Sequence, residues 1–351
     1  MGRKTILLVP HPSLPGGVGN YYSVAKPYFS EKYKYIYFNS RYENGLKKKL
    51  INPLIIISIC LRLIFNRPHN LIVNPSLKNL ALKRDGIFVL VANLLRIRTN
   101  VFWRGWNPEN EYLLKNGINS FFFHNAFLKV NKHLVLNSHV KESLINAGVK
   151  TENIIDQSTL VDDSFFESKK KIKNTNKPVI LFLTRVEKYK GIFEALEMIQ
   201  RLPSYQFEFH IAGNGSALQN VNEYVKNNNL SNVRFLGYLK GQEKIDTFKN
   251  ADIYLFPSYS EGMPNSVLEA MGAGLPVVCT RVGALGDFFI DEKMGFSNEL
   301  PIDIDIFSDQ LEKLLTDKEL RQKIGKFNKA YAEKNFKASS VINKLEKELS
   351  L

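Results

Sequence analysis

The chain has 351 residues, 44% of them hydrophobic, a length that suits two domains and a balance that suits a globular protein. Its two cysteines, Cys60 and Cys279, lie far apart in apolar runs, which excludes a disulfide framework and predicts two buried thiols. The net charge of +14 is lopsided: residues up to Asp163 carry 22 Lys and Arg against 10 Asp and Glu, the rest 26 against 24, so an anionic partner is expected for the first half.

The apolar part of MGRKTILLVPHP is too short for a secretion signal and runs directly into a strand, Thr5 to Val9. No run of about 18 apolar residues follows anywhere, so no membrane span is expected. After the first strand comes the loop PHPSLPGGVGNYY and a helix from near Tyr21. Gly16, Gly17 and Gly19 allow the backbone to approach a ligand at the strand end, although their spacing is not the GxGxxG of dinucleotide binders. Tyr35 to Asn39 is a second strand. The segment NGLKKKLINPLIIISICLRLIFN begins with Lys47, Lys48 and Lys49, and continues into an apolar run from Leu54 to Phe65 broken by Arg62. Pro53 fits the first turn of a helix there. That helix either packs on a sheet with its lysines solvated or lies on an anionic membrane surface.

Leu71 to Asn74 reads as a strand, Asp85 to Leu95 as a helix and Thr99 to Phe102 as a strand ending in WRGWNPENE. Arg104, just past that strand, can clamp a phosphate, or it can be a surface cation packed on Trp103 and Trp106. His124 is the other candidate cation nearby. A strand from Lys132 to Asn137 and a capped helix from Ser138 to Gly148 follow, and the lysine-rich residues Lys169 to Lys177 read as a solvated linker.

The second half restarts with a strand from Pro178 to Thr184. Arg185 and Lys190 stand in the loop before a helix from Ile192 to Leu202, where two cations beside a helix N-terminus can neutralise a leaving diphosphate. Strands from Phe207 to Ala212 and Val233 to Leu236 flank a helix from Val221 to Asn228, and a short helix from Lys244 to Lys249 leads to the most informative stretch, DIYLFPSYSEGMPNSVLEAMGAGLPVVCTR. Ile253 to Phe256 is a strand, Pro257 to Gly262 a loop, and Asn265 or Ser266 can cap a helix with Val267, Leu268 and Met271 on its apolar face. Gly274 and Pro276 end that helix before a strand from Val277 to Cys279. Such βαβ units build parallel sheets with helices on both faces, and ligands bind beyond the carboxyl ends of the strands. Glu261 lies at that end and Glu269 in the first helical turn; the N–H groups near Asn265 and Ser266 suit an anion or sugar hydroxyls. Ser266 with Glu269 also fits a purely structural capping box. Amphipathic helices from Asp309 to Leu315, Lys318 to Tyr331 and Ser339 to Leu349 close the chain.

The string EGMPNSVLEAMGAGLPVV closely resembles the signature of retaining family 4 glycosyltransferases (group 1): a Glu, seven residues, a Glu, a small-residue turn and PVV. The likeness is sharp from about Ile180 to Phe296 and loose before Leu134. It implies a GT-B fold of α/β class, with two Rossmann-like domains facing across a cleft. The first, residues 1–164 plus a C-terminal helix 338–351 that crosses back to it, would hold the acceptor, and the second, residues 165–337, the nucleotide-diphosphate sugar donor. It implies retention at the anomeric carbon and neither a metal nor another cofactor. It places Arg185 and Lys190 on the donor diphosphate, and the backbone of Gly237, Tyr238 and Leu239 on the nucleobase edge. Glu261 would handle the sugar, Glu269 the ribose, and Met263, Asn265 and Ser266 the rest of the donor. Gly16 and Gly17 would lie near the phosphates and acceptor, and Ala284–Asp287 and Ile290–Gly295 would be a turn and a strand. Where the family often carries His-Gly against the donor sugar, this chain has Arg104 and Gly105, which puts the family's role for that position in doubt. Arg185, Lys190, Glu261 and Arg104 are therefore the expected catalytic set, with no general base named. The expected partners are a saccharide acceptor, lipid-linked or part of a bacterial surface polysaccharide, and an anionic membrane, with the protein peripheral on its cytoplasmic side. Two other classes compete: a non-catalytic nucleotide-sugar-binding or membrane-associated accessory subunit, and a nucleic-acid binder. The latter lacks a recognition helix or stacking platform, so no nucleic acid is expected.

Overall fold

The computed structural model describes residues 4–11, 16–38, 46–167, 177–203 and 206–350, without the side chains of 46–52 and 350. The expected lysine-rich linker and most of the loop before Gly16 therefore lie outside the described residues, as do the side chains of Lys47, Lys48 and Lys49. The chain divides into two compact units, Met1–Thr159 with Val341–Leu351, and Leu160–Ser340.

The first unit alternates strands and helices: β1 (Thr5–Pro10), α1 (Gly17–Ala25), β2 (Tyr33–Phe38), α2 (Leu46–Asn66), β3 (Asn70–Val73), α3 (Asn79–Leu94), β4 (Arg98–Phe102), α4 (Gly117–Asn125), β5 (Lys132–Val135), α5 (Ser138–Asn146) and β6 (Ile154–Asp156). All pairings are parallel, in the order β2-β1-β3-β4-β5-β6, with Leu8 beside both Ile36 and Val73. Parallel strands covered on both faces read as near-continuous apolar runs, and TILLVP and NLIV are buried almost throughout. The last residues of the chain return to this unit: the Glu346 carboxylate accepts from the Ser30 N–H at 2.8 Å, and Gln157 donates to Glu348 at 2.6 Å.

The second unit contains α6 (Ser164–Glu167), β7 (Val179–Leu183), α7 (Ile192–Gln200), β8 (Glu208–Ala212), α8 (Leu218–Asn227), β9 (Val233–Gly237), α9 (Gly241–Asn250), β10 (Ile253–Phe256), α10 (Asn265–Gly272), β11 (Val277–Thr280), α11 (Leu285–Phe288), β12 (Gly295–Asn298), α12 (Ile304–Thr316) and α13 (Lys318–Phe336), with α14 (Ala338–Ser350) leaving it. Its sheet is again all parallel, ordered β12-β11-β10-β7-β8-β9. Alternation sorts each strand between two apolar layers. Ile180 and Phe182 pack with Ala195 and Leu196 of α7, while Val179 and Leu181 pack with Val267, Leu268 and Met271 of α10.

Several expectations need correcting. Pro53 lies inside α2, not in its first turn, because the helix begins at Leu46. The strand expected over Ile290–Gly295 is β12, Gly295–Asn298, where pairing with β11 decides the register. α4, rich in aromatics, was not anticipated. Cys60 is only part-buried, whereas Cys279 is buried and burial pushes its thiol pKa up. On α2, Ile59 and Leu63 are core, as the sheet-packing reading expects, while Leu54, Ile57, Leu61, Ile64 and Phe65 form an exposed apolar row on the other side.

Candidate functional site

Strand order fixes where each sheet can bind. In the second unit the chain runs from β7 outward through β8 and β9, then returns to the other side of β7 as β10. In open parallel sheets such a reversal is where a crevice forms for ligands, which puts the expected site beyond the carboxyl ends of β7 and β10. The loop after β7 carries Arg185 and Lys190, and the loop after β10 carries Glu261.

Backbone contacts lock the two loops together. The Tyr259 N–H donates to the Tyr189 carbonyl at 3.0 Å, and the side chain of Thr280, at the end of β11, donates from Oγ1 to the Ser258 carbonyl and so ties the second loop to the next strand. Gly191, at φ 73°, caps α7 in a left-handed conformation, and a Cβ there would overlap the Pro257 carbonyl. Gly283, at φ 58°, likewise brings the turn after β11 against the carbonyls of Glu261 and Gly262.

Within this frame the Lys190 ammonium donates to Glu261 Oε1 in a largely buried ion pair, with side-chain exposures of 6% and 18%. Arg185 is exposed, its guanidinium 5.4 Å from the centre of the Tyr189 ring. The next loop residue of note, Glu187, is held as an anion by hydrogen bonds from the Ser216 hydroxyl and N–H, which lower its pKa. The N-terminus of α7 opens on the same loop, with no side chain capping it.

α10 begins at Asn265, with Pro264 as its N-cap and no side-chain cap bond. Ser266 is thus inside the helix, no capping box forms, and Glu269 sits in the second turn instead of the first. Glu269 is 7% exposed and its carboxylate lies 2.6 Å from the ammonium of Lys244, on α9. Nothing local in the sequence marks Lys244, since its partner is 25 residues away; the signal is tertiary. Met263 packs against the core beside α10. Gly237, at φ 67°, ends β9; Tyr238 is 70% exposed and Leu239 packs on the apolar layer under α10.

The first unit has its own reversal, at the carboxyl ends of β1 and β3. Gly16 and Gly17 are exposed at the start of α1, whose first turn has no side-chain cap. α1 is tied to neighbouring strand ends: Tyr22 OH donates to Asn74 Oδ1 at 3.0 Å, and Asn74 Nδ2 to the Leu8 carbonyl at 3.0 Å. Arg104 reaches this cluster from the end of β4, its guanidinium 4.1 Å from the Tyr21 ring centre and 4.5 Å from that of Phe102. Burial lowers the Arg104 pKa, and burial raises that of Tyr21 to about 12 against the pull of Arg104. Trp103 does not stack on Arg104; it is core, donating from Nε1 to His133 Nδ1 at 3.1 Å. His124 is not brought to the crevice. It lies in the last turn of α4, with Nδ1 2.8 Å from the Ser120 carbonyl.

Among the described residues no three His, Cys, Asp or Glu side chains are grouped to hold a metal ion, and no helix is long and apolar enough to cross a membrane.

Residues 163–331 match the family of glycosyl transferases group 1. Among curated relatives, an uncharacterised glycosyltransferase of Methanocaldococcus jannaschii is 26% identical over 63% of this chain and 60% of its own length. A capsular polysaccharide biosynthesis glycosyltransferase of Staphylococcus aureus is 27% identical over 61% of this chain and 58% of its own. The matches thus span less than two thirds of these relatives. Among solved structures, Anabaena HepE in complex with UDP and glucose superposes with a TM-score of 0.78 over 99% of this chain and 100% of that one, at 15% identity. That likeness is one of fold, and the fold is GT-B.

Proposed function

Because residues 163–331 match the family of glycosyl transferases group 1, we propose that the chain is a retaining glycosyltransferase of the family 4 type, using a nucleotide-diphosphate sugar. The observation that carries this reading is the crevice beyond β7 and β10, where Arg185, Lys190 and the α7 N-terminus meet Glu261. Cations and helix N-terminal amides stabilise the charge that develops on a departing diphosphate. The sugar C1–O bond to the diphosphate breaks and a C1–O bond to the acceptor hydroxyl forms on the same face; the hydroxyl proton passes to the leaving phosphate. Glu261 accepts from sugar hydroxyls, and Glu269, aligned by Lys244, from the ribose. The nucleobase lies along the backbone of Gly237, Tyr238 and Leu239, and Met263, Asn265 and Ser266 complete the donor site. No metal enters the scheme.

The acceptor is a saccharide, lipid-linked or part of a surface polysaccharide, and the first unit, with Gly16 and Gly17, receives it. The decisive experiment offers the protein a panel of nucleotide-diphosphate sugars and follows both thermal stabilisation and release of nucleotide diphosphate. Selective stabilisation with turnover supports the proposal. Stabilisation without turnover on any donor or acceptor leaves an accessory sugar-nucleotide binder, and neither response refutes both.

The exposed apolar row of α2 favours a peripheral position on the inner face of the cell membrane. Leu54 is 64% and Phe65 81% exposed, and the sequence of the same helix starts with three lysines. A basic segment gains roughly 1 kcal/mol per Lys near an anionic surface, and an apolar face adds burial at the headgroup boundary. Sedimentation with anionic vesicles should deplete the protein from the supernatant, with salt and glutamines at positions 47–49 reversing it. Equal recovery with anionic and neutral vesicles at low salt rules the membrane out.

A further inference from the structure

We infer that the reversal crevice of the first unit is a receptor for an oxyanion, a carboxylate or a phosphate carried by a substrate, gripped by the guanidinium of Arg104. This deepens the glycosyl-transfer reading and rests on it only for the identity of the molecule that carries the anion.

The unit shows what a purely structural buried arginine looks like. Arg84 makes two parallel hydrogen bonds to Asp85, Nε to Oδ1 at 2.7 Å and Nη2 to Oδ2 at 2.8 Å, and so carries its counter-charge with it. Arg104 has none. Its Nη1 is sealed from water and donates to no acceptor among the described residues, and no carboxylate among them pairs with it. The residue as a whole is part-buried, but a charged N–H cut off from both water and an acceptor is costly, and the aromatic faces of Tyr21 and Phe102 offset only part of that.

The position is nevertheless fixed. The Arg104 N–H donates to the Pro75 carbonyl at 3.1 Å and the Leu77 N–H to the Gly105 carbonyl at 2.6 Å. Gly105 has no room for a Cβ, which would come within 2.8 Å of the Ser76 Cβ. Ring faces hold the guanidinium and backbone bonds hold its segment; no carboxylate among the described residues does so. Beside it Tyr21, 1% exposed, keeps a buried hydroxyl that also has no partner among the described residues. Tyr21 belongs to α1, a nine-residue helix whose uncapped first turn starts at the same crevice.

Two orphaned donors and a helix N-terminus at a strand-order reversal form a preorganised site for negative charge. A sugar hydroxyl would satisfy Nη1 yet leave the cation unneutralised. A carboxylate or phosphate matches the planar fork and balances the charge, and the low dielectric strengthens the attraction.

The test uses a built-in reporter. The chain has two tryptophans, Trp103 and Trp106, both within two residues of Arg104 in sequence and with rings 5.3 Å apart, so intrinsic emission reports on the segment that carries Arg104. The whole protein is titrated with inorganic phosphate and with D-glucuronate, against chloride at matched ionic strength. A saturable change with phosphate, glucuronate or both is expected, and the tighter of the two identifies the group. Arg104→Gln should weaken it by about tenfold or more, Arg104→Lys by less, and Arg201→Ala, an exposed arginine of the second unit paired with Asp305, not at all. The same response in wild type and Arg104→Gln, an equal response to chloride, or no response in wild type overturns the inference. Thermal stabilisation by nucleotide diphosphate, a property of the second unit, checks that Arg104→Gln is folded; if it is not, the lysine variant, which keeps charge and stacking but loses the fork, decides. Failure of the donor panel with an Arg104-dependent anion response would sink the transferase reading and leave this one standing.

Discussion

Lys190→Ala should behave unlike Arg185→Ala, although the two cations share one loop. Lys190 is 6% exposed on its side chain and bonded to Glu261, itself 18% exposed. Removing one member of a fully buried pair costs about 3–5 kcal/mol, because the other is left as an unpaired charge. Glu261 retains some access to water, which lowers the expected loss to about 2 kcal/mol. For a unit of this size that shifts the melting temperature by about 4–8 °C. Arg185 is exposed and stacks on Tyr189, so its removal should leave stability within about 0.5 kcal/mol. Both variants should lose turnover on the preferred donor, by about 2–4 kcal/mol of transition-state stabilisation each. The double variant Lys190→Met with Glu261→Gln removes both charges and should recover most of the lost stability but none of the activity. Calorimetric melting and single-donor kinetics on the four proteins provide the measurement. If Lys190→Ala melts with wild type, the buried pair contributes nothing and the reasoning about this loop fails.

Gly283→Ala should destabilise the second unit by about 1 kcal/mol or more, since φ is 58° and the Cβ overlaps the Glu261 and Gly262 carbonyls; an unchanged melt with normal turnover would show that the Glu261 loop needs no support from that turn. Lys244→Met and Glu269→Gln should each weaken nucleotide-diphosphate binding roughly tenfold; Lys244→Met should also lower the melt, because it leaves the largely buried Glu269 carboxylate unpaired, and intact affinity in both would return Glu269 to a structural role. His133 is buried, and burial lowers its pKa from 6.5 to about 4. The folded state therefore binds fewer protons than the unfolded one between those values, so stability is full above pH 6.5 and falls by about 3 kcal/mol as pH drops to about 4. His133→Gln, which can still accept from Trp103, should flatten that dependence in a pH series of thermal melts.

The second unit was legible because its chemistry is local. The stretch around Glu261 carries strand, loop, helix and strand within thirty residues, and the period-2 alternation of VILFL and IYLF matches the two layers they pack into. What escaped was set at a distance. The Lys190–Glu261 pair joins positions 71 residues apart, and Lys244 gains meaning only when α9 is laid beside α10. The cap of α10 was misplaced for a related reason. Asn265 and Ser266 have the better capping side chains, but the backbone leaves the loop one residue earlier, at Pro264. In the first unit, Arg104 has two readings from sequence, phosphate clamp or packing on Trp103 and Trp106. Its actual neighbours are Tyr21, from α1, and Phe102. Sequence proximity favoured the tryptophans, but Trp103 points into the core toward His133.

The two crevices differ in how they treat their cations, and that difference makes a last prediction. Arg104 Nη1 has no acceptor among the described residues, so an anion there displaces none of them. Lys190 already has Glu261, so a diphosphate must compete with that carboxylate for the ammonium hydrogens. Glu261 then has two effects of opposite sign. Before the donor arrives it neutralises the cation and opposes diphosphate binding; once displaced, it is an acceptor for sugar hydroxyls. Glu261→Gln removes the competition and the charge-assisted bond together. Nucleotide diphosphate should bind this variant as tightly as wild type or up to about tenfold tighter, while turnover of the complete sugar donor falls. Titration calorimetry with the diphosphate, set beside kcat on the sugar donor, separates the terms. Should Glu261→Gln weaken diphosphate binding as much as Lys190→Ala does, the carboxylate is a direct or positioning part of the diphosphate site, and the competition between Glu261 and the donor does not exist.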